Sequence, residues 1–169
     1  MKKNNEKTLS KCKIIKMIIS DVDGVLTDGG MYYSEKGEIM KKFNTKDGMA
    51  VEIANQNKIK IILMTKENSK IVKTRAAKIK TAACYIGIKQ KELELEKILK
   101  KFNIKSKEIA YIGDDINDKE IMKKVGFTVS PFDGITEIKK IADYTAKHKG
   151  GEGVLREVVE LILSVKKTN

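Results

Sequence analysis

Short, unbroken apolar runs alternate along the chain with segments of helical period. Lys16–Ser20, Ile59–Met64, Ala82–Tyr85, Glu108–Ile112 and Gly126–Val129 read as strands, with a brief further one at Asp143–Thr145. The continuous run Ile59–Met64 has the character of a parallel strand buried on both faces, because a half-exposed strand would alternate. Between these runs apolar residues recur at helical spacing. A helical stretch opens at Asn44–Gly48 and runs through Asn55; another carries Ile71, Val72, Arg75 and Ile79. Lys89–Phe102 is strongly periodic through Leu93, Leu95, Ile98 and Leu99; Ile135–Ile141 and Val154–Val165 follow. One stretch breaks the alternation. Met31–Phe43 looks like a hairpin turning at Ser34-Glu35-Lys36-Gly37. Alternating strands and helices predict an α/β fold: a doubly wound, mostly parallel sheet with helices on both faces and a β-hairpin insertion. Residues 14–165 form the expected domain, no segment is long enough for a separate cap domain, and residues 1–13 are expected to be a loosely ordered basic tail.

Three of the strands end in polar residues. The first closes on Asp21 and Asp23, the second on Thr65, and the fourth on Gly113-Asp114-Asp115-Ile116-Asn117-Asp118. In a parallel sheet these ends share one edge, which is where open α/β sheets bind ligands. Carboxylates crowded there repel unless a cation sits among them. Magnesium suits such a donor set, being hard, oxygen-seeking and ready to complete its shell with phosphate. A calcium loop is a poor match, because Val25 and Leu26 stand where its fifth-position acid and sixth-position glycine should be. Asp21 is the candidate nucleophile and Asp23, two residues on, the candidate general acid and base. Thr65 can hydrogen-bond a phosphoryl oxygen, and Lys91, at the start of the long helix, can balance charge on a transferring phosphoryl group.

Composition narrows the function classes. The 169 residues carry 35 basic and 23 acidic side chains, a net charge of +12. Residues 1–16 alone hold six lysines and one glutamate. The remaining excess suits a small anionic substrate. Lysines are spread along the whole chain and aromatics are only 5%, so neither a basic stripe nor a stacking platform for nucleic acid is evident. No apolar run reaches membrane-spanning length, and lysines interrupt any signal-like core near the start. Cys12 and Cys84 make no metal spacing, which fits a reducing, cytoplasmic setting. The lone histidine, His148, lies in a Lys-His-Lys run and is read as exposed rather than catalytic.

The motifs together resemble the haloacid dehalogenase superfamily of phosphohydrolases. Asp21-Val-Asp-Gly-Val-Leu-Thr is similar to its first motif, Thr65 to its second, Lys91 to its third, and Gly113-Asp114-Asp115-x-x-Asp118 to its fourth. Asp28-Gly29, the hairpin, Asn44-x-x-Asp47-Gly48 and Gly150-Gly-Glu-Gly-Val-Leu-Arg156-Glu157 resemble the capless branch, which holds the 3-deoxy-D-manno-octulosonate 8-phosphate and nonulosonate 9-phosphate phosphatases. The resemblance implies a magnesium site from Asp21, the Asp23 carbonyl and Asp114, with Asp115 and Asp118 as supporting acids. It further implies phosphate binding by Thr65 and Lys91, and substrate or intersubunit roles for Glu67, Arg75 and Arg156. It implies a homotetramer in which packed hairpins let one subunit cover its neighbour's site. Thr65-Lys66-Glu67 departs from the branch, where glycine follows the threonine, and leaves octulosonate and nonulosonate substrates both open. Alternatives are a weakly active regulatory partner of a sugar-acid cytidylyltransferase, a general small phosphomonoesterase or nucleotidase, and a basic nucleic-acid-binding module.

Overall fold

The structure is a computed structural model that describes residues 2–167, with side chains from residue 8 onward. Its centre is a six-stranded sheet whose pairings are all parallel. The strands are β1 (Met17–Ser20), β4 (Lys60–Met64), β5 (Ala83–Tyr85), β6 (Ile109–Ile112), β7 (Phe127–Ser130) and β8 (Tyr144–Thr145), in the spatial order β5-β4-β1-β6-β7-β8. β2 (Tyr32–Ser34) and β3 (Gly37–Met40) form a separate antiparallel hairpin, bulged between Tyr32 and Tyr33.

Successive strand residues point to opposite faces, so each central strand feeds two cores. Ile18, Ile61, Leu63, Ala110 and Ile112 face one side. There they meet α1 (Lys2–Lys13), α2 (Thr45–Gln56), α3 (Lys70–Lys78) and α7 (Val154–Lys167). Met17, Ile19, Ile62, Met64, Ile109 and Tyr111 face the other, against α4 (Lys91–Phe102), α5 (Lys119–Met122) and α6 (Thr136–Ile141). The expected doubly wound sheet with a hairpin insertion is what forms.

The first residues correct the expectation of a loose tail. Lys2–Lys13 is helical, and α1 packs on α7. Cys12 is fully buried in the core and Leu9 packs against it. Lys11 forms an ion pair with Asp143 at 2.5 Å, and the Thr8 hydroxyl donates to the Asp143 carbonyl at 3.3 Å. Leu9 and Cys12, an i, i+3 apolar pair, dock on the core and Lys11 ties the helix to Asp143, so charge density did not mean disorder.

Candidate active site

β1 lies in the middle of the sheet, with β4 on one side and β6 on the other. The end of β1 is tied to the end of β6 by the Asp21 amide, which donates to the Ile112 carbonyl at 2.9 Å. That hydrogen bond sets Asp21 beside the Gly113–Asp118 turn. Asp21, Asp23, Gly24, Gly29, Thr65, Lys66, Glu67 and Asp114–Asn117 line one cleft of about 380 Å³ over the strand ends. The convergence expected from the three polar strand ends therefore occurs.

The floor of the cleft is a buried ionic cluster. Lys91 begins α4 and is wholly buried. Its ammonium donates to Asp21 Oδ2 at 2.8 Å and Asp118 Oδ1 at 2.6 Å. The Tyr111 hydroxyl donates to the same Asp118 oxygen at 2.6 Å, and the Asp114 amide donates to Asp118 Oδ2 at 3.0 Å. Asp118 is thus a fully satisfied internal anchor. It aims Lys91 at Asp21 and holds the turn that presents Asp114. The Val22 amide donates to Asp21 Oδ1 at 2.7 Å, fixing that carboxylate in turn.

Asp21, Asp114 and Asp118 offer carboxylate oxygens that all lie within 4.8 Å of one another. One ammonium does not balance three carboxylates in a buried place. Burial, and next the charge of Asp118, pushes the Asp21 carboxyl well above the usual range, with Lys91 pulling against both. Asp114 is pushed up to about 7, first by burial and then by Asp118 and Asp115. An all-oxygen donor set with surplus negative charge fits a hard divalent cation. Gly24 makes room for this arrangement. Its φ is +79°, and a Cβ there would lie 2.0 Å from Asp114 Oδ2.

Asp23 is held differently. Its carboxylate turns away from the trio: Lys41 donates to Oδ1 at 2.5 Å and the Thr65 hydroxyl to Oδ2 at 3.2 Å. Thr65 in turn accepts from the Glu67 amide at 3.0 Å, which shapes the Lys66-Glu67 turn at the cleft rim. Asp115 is exposed and caps the following turn, its Oδ1 accepting from the Ile116 amide at 2.6 Å.

Two expected substrate residues lie elsewhere. The Arg75 guanidinium donates to the Asn44 carbonyl at 2.9 Å and lies over the Phe43 ring. Arg156 pairs with Glu160 at 2.5 Å and borders another cavity with Lys46 and His148. His148 is half-exposed and pairs with Glu157 at 2.7 Å. The glycine-rich lead into α7, which suits a carboxylate, already holds one of the chain's own. Asp47 Oδ1 accepts from the Arg156 amide at 3.2 Å. Gly150 packs so tightly under the first-motif loop that a Cβ would lie 2.2 Å from the Gly24 carbonyl oxygen.

Lys41, Glu38, Ser69 and Tyr111 join the site without having been singled out in the sequence. Tyr111 had one signal, a phenol within an otherwise aliphatic buried run. Lys41 had none that separates it from Lys42.

Comparisons with known proteins agree with this geometry. Residues 33–158 match the family described as haloacid dehalogenase-like hydrolase. The 3-deoxy-D-manno-octulosonate 8-phosphate phosphatase KdsC of Escherichia coli is 36% identical over 155 residues, 92% of this chain and 82% of that protein. The crystal structure of the Moraxella catarrhalis 3-deoxy-D-manno-octulosonate 8-phosphate phosphatase, in complex with magnesium ion, phosphate ion and KDO, superposes with a TM-score of 0.92 at 34% identity, covering 97% of this chain and 94% of that one. The Yersinia pestis 3-deoxy-D-manno-octulosonate 8-phosphate phosphatase gives a TM-score of 0.93 at 31% identity, covering 96% and 88%. With its motifs gathered on one sheet edge and a family match over most of its length, the chain belongs to the haloacid dehalogenase-like hydrolases.

Proposed function

We propose that the protein is a magnesium-dependent phosphomonoesterase that hydrolyses 3-deoxy-D-manno-octulosonate 8-phosphate through an aspartyl-phosphate, in making a surface-polysaccharide sugar. The carrying observation is the pairing of a lysine-bound carboxylate, Asp21, with a second carboxylate two residues on, Asp23, in one cleft. Relatives named for that substrate, similar over nearly the whole chain, support the choice of sugar acid.

Asp21, Asp114 and the Asp23 carbonyl would hold the magnesium ion, with Asp115 and Asp118 supporting them, and the ion supplies charge stabilisation to the phosphoryl oxygens. Asp21 attacks phosphorus, forming an O–P bond as the bond to the sugar oxygen breaks. Asp23, in its protonated form, gives that oxygen its proton. Water then attacks the aspartyl-phosphate, loses a proton to Asp23, and frees Asp21 as phosphate departs. Lys91 and Thr65 steady the transferring oxygens. Lys66 and Glu67, at the rim, meet the sugar acid.

Asp21→Asn is expected to abolish phosphate release with the melting temperature kept. Chelation should silence the native protein, and magnesium but not sodium should restore it. The substrate is read from parallel assays of octulosonate 8-phosphate, nonulosonate 9-phosphates and nucleotides. Turnover by Asp21→Asn, or a preference for nucleotides, would sink the reading.

A homotetramer completes the proposal. Met31, Tyr32, Tyr33, Ile39 and Met40 leave the hairpin with a largely exposed apolar surface, of the kind that marks a protein interface. Hairpin packing against neighbours would cover it. Two free cysteines fit the cytoplasm. Among the described residues no helix is long and apolar enough to cross a membrane.

A further inference from the structure

Behind the cleft wall, against Asp23, lies a second buried lysine that the proposed reaction leaves without a task. Lys41 follows directly on β3, and its side chain has no exposed surface. Its ammonium lies 2.5 Å from Asp23 Oδ1 and 2.5 Å from Glu38 Oε1. Glu38 is anchored in turn: its Oε2 accepts from the Ser69 hydroxyl at 2.7 Å. Ser69 is the buried residue that precedes α3. A chain of contacts therefore runs from the start of α3, through a hairpin glutamate and a hairpin lysine, to the Asp23 carboxylate.

Packing alone would not select this arrangement. Burying an ammonium costs several kcal/mol, and an apolar side chain of similar volume often serves stability as well or better. Lysine is kept where its charge has an orienting use. Here it divides the labour at the cleft with Lys91. Lys91 fixes Asp21 from beneath the sheet edge, and Lys41 fixes Asp23 from the hairpin side. The Thr65 hydroxyl on Asp23 Oδ2 completes a two-point grip on that carboxyl.

We propose that Lys41, anchored by Glu38 and Ser69, is a positioning residue that aims the Asp23 carboxyl at the leaving oxygen. This rests on the reading of Asp23 as the acid and base. It makes the hairpin part of the proton-transfer apparatus as well as an interface, because Glu38 and Lys41 bracket the end of β3. A misaimed Asp23 hurts most where the departing oxygen needs a proton. A sugar alkoxide is such a group; a nitrophenolate leaves without one.

The experiment measures the first turnover of the magnesium-loaded full chain on octulosonate 8-phosphate and on p-nitrophenyl phosphate, by rapid quench and stopped flow. Lys41→Met is expected to slow the first turnover of the sugar phosphate by about 100-fold, within the usual range for general acid catalysis. On p-nitrophenyl phosphate the same variant should keep its nitrophenolate burst within about threefold, followed by slow turnover, because water still needs Asp23 as its base. Lys41→Arg should recover much of the loss, and Ser69→Ala should show a smaller loss with the same preference for the aryl ester. Equal losses on both esters, or no loss on either, would overturn the proposal. If Lys41→Met fails to melt cooperatively, Glu38→Gln and Ser69→Ala carry the same two-ester comparison, with the same outcomes deciding it. A native protein inert on both esters would overturn the phosphatase reading first, and this inference with it.

Discussion

Asp47 offers a test of the fold's electrostatics away from the reaction. It sits in the first turn of α2, is only 3% exposed, and caps α7 through the Arg156 amide. Its other oxygen, Oδ2, is buried without a hydrogen-bond partner. Burial outweighs the capping bonds and the nearby Arg75 and His148, and the carboxyl is pushed from the ordinary 3.8 to about 6. A carboxyl raised in the folded state binds its proton more tightly there than in the unfolded chain. Stability therefore falls as pH rises from about 4 to about 6, and the full cost stands above that window. A shift of roughly two pH units is worth about 3 kcal/mol at neutral pH.

Asp47→Asn keeps an oxygen to cap α7 and removes the charge. Any fixed cost of the amide is the same at every pH and cancels in the comparison between two pH values. The advantage of Asn over Asp should grow by about 2 kcal/mol between about pH 4.5 and about pH 7.5, with the acidic end already carrying about 1 kcal/mol of the effect. For a chain of this length that difference is roughly 4–8 °C in melting temperature. The assay is thermal unfolding of both proteins at several pH values. Titration of the cleft carboxylates is common to both chains and drops out of the difference. A gap that does not change with pH, or that favours Asp at neutral pH, would refute the assignment of a buried, uncompensated charge.

Two other substitutions probe separate parts of the molecule. Gly24→Ala places a Cβ against Asp114 Oδ2 in a backbone of φ +79°; phosphate release should fall by roughly 100-fold or more through displacement of that carboxylate, and unchanged activity would count against Asp114 as a ligand. Ile39→Glu changes a residue 60% exposed on the hairpin; sedimentation should show smaller species than the unsubstituted protein, which the proposal expects to be a tetramer, with the fold's stability within about 0.5 kcal/mol, and an unchanged assembly would remove the hairpin from the interface.

The sheet was legible in the sequence because central parallel strands are buried on both faces and so leave unbroken apolar runs. The cleft was legible because a parallel sheet gathers its strand ends whatever lies between them, which brought Asp21, Asp23, Thr65 and Asp114 together. Helix α1 was not legible. Its apolar content toward the core is little more than Leu9 and Cys12, and its position depends on α7 and Asp143, partners more than 130 residues away. Helices of this length draw their stability from such tertiary contacts rather than from local propensity.

Long side chains were the least legible of all, because backbone position does not say where their charged ends lie. Arg75 is on an expected helix, yet its guanidinium is spent on Phe43 and Asn44. Lys41 is one of 35 basic residues and has an identical neighbour in Lys42, yet the two differ completely in surroundings. Lys42 is exposed and reaches Asp28 at 3.4 Å, whereas Lys41 is buried against Asp23. Burial is what separates Lys41 and Lys91 from the rest. Among the described residues Lys41 and Lys91 are the buried lysines, and each grips one of the two aspartates of the first motif. An ammonium withdrawn from water needs a carboxylate to offset its desolvation, so the two lysines the core retains are found where the cleft's carboxylates are already buried.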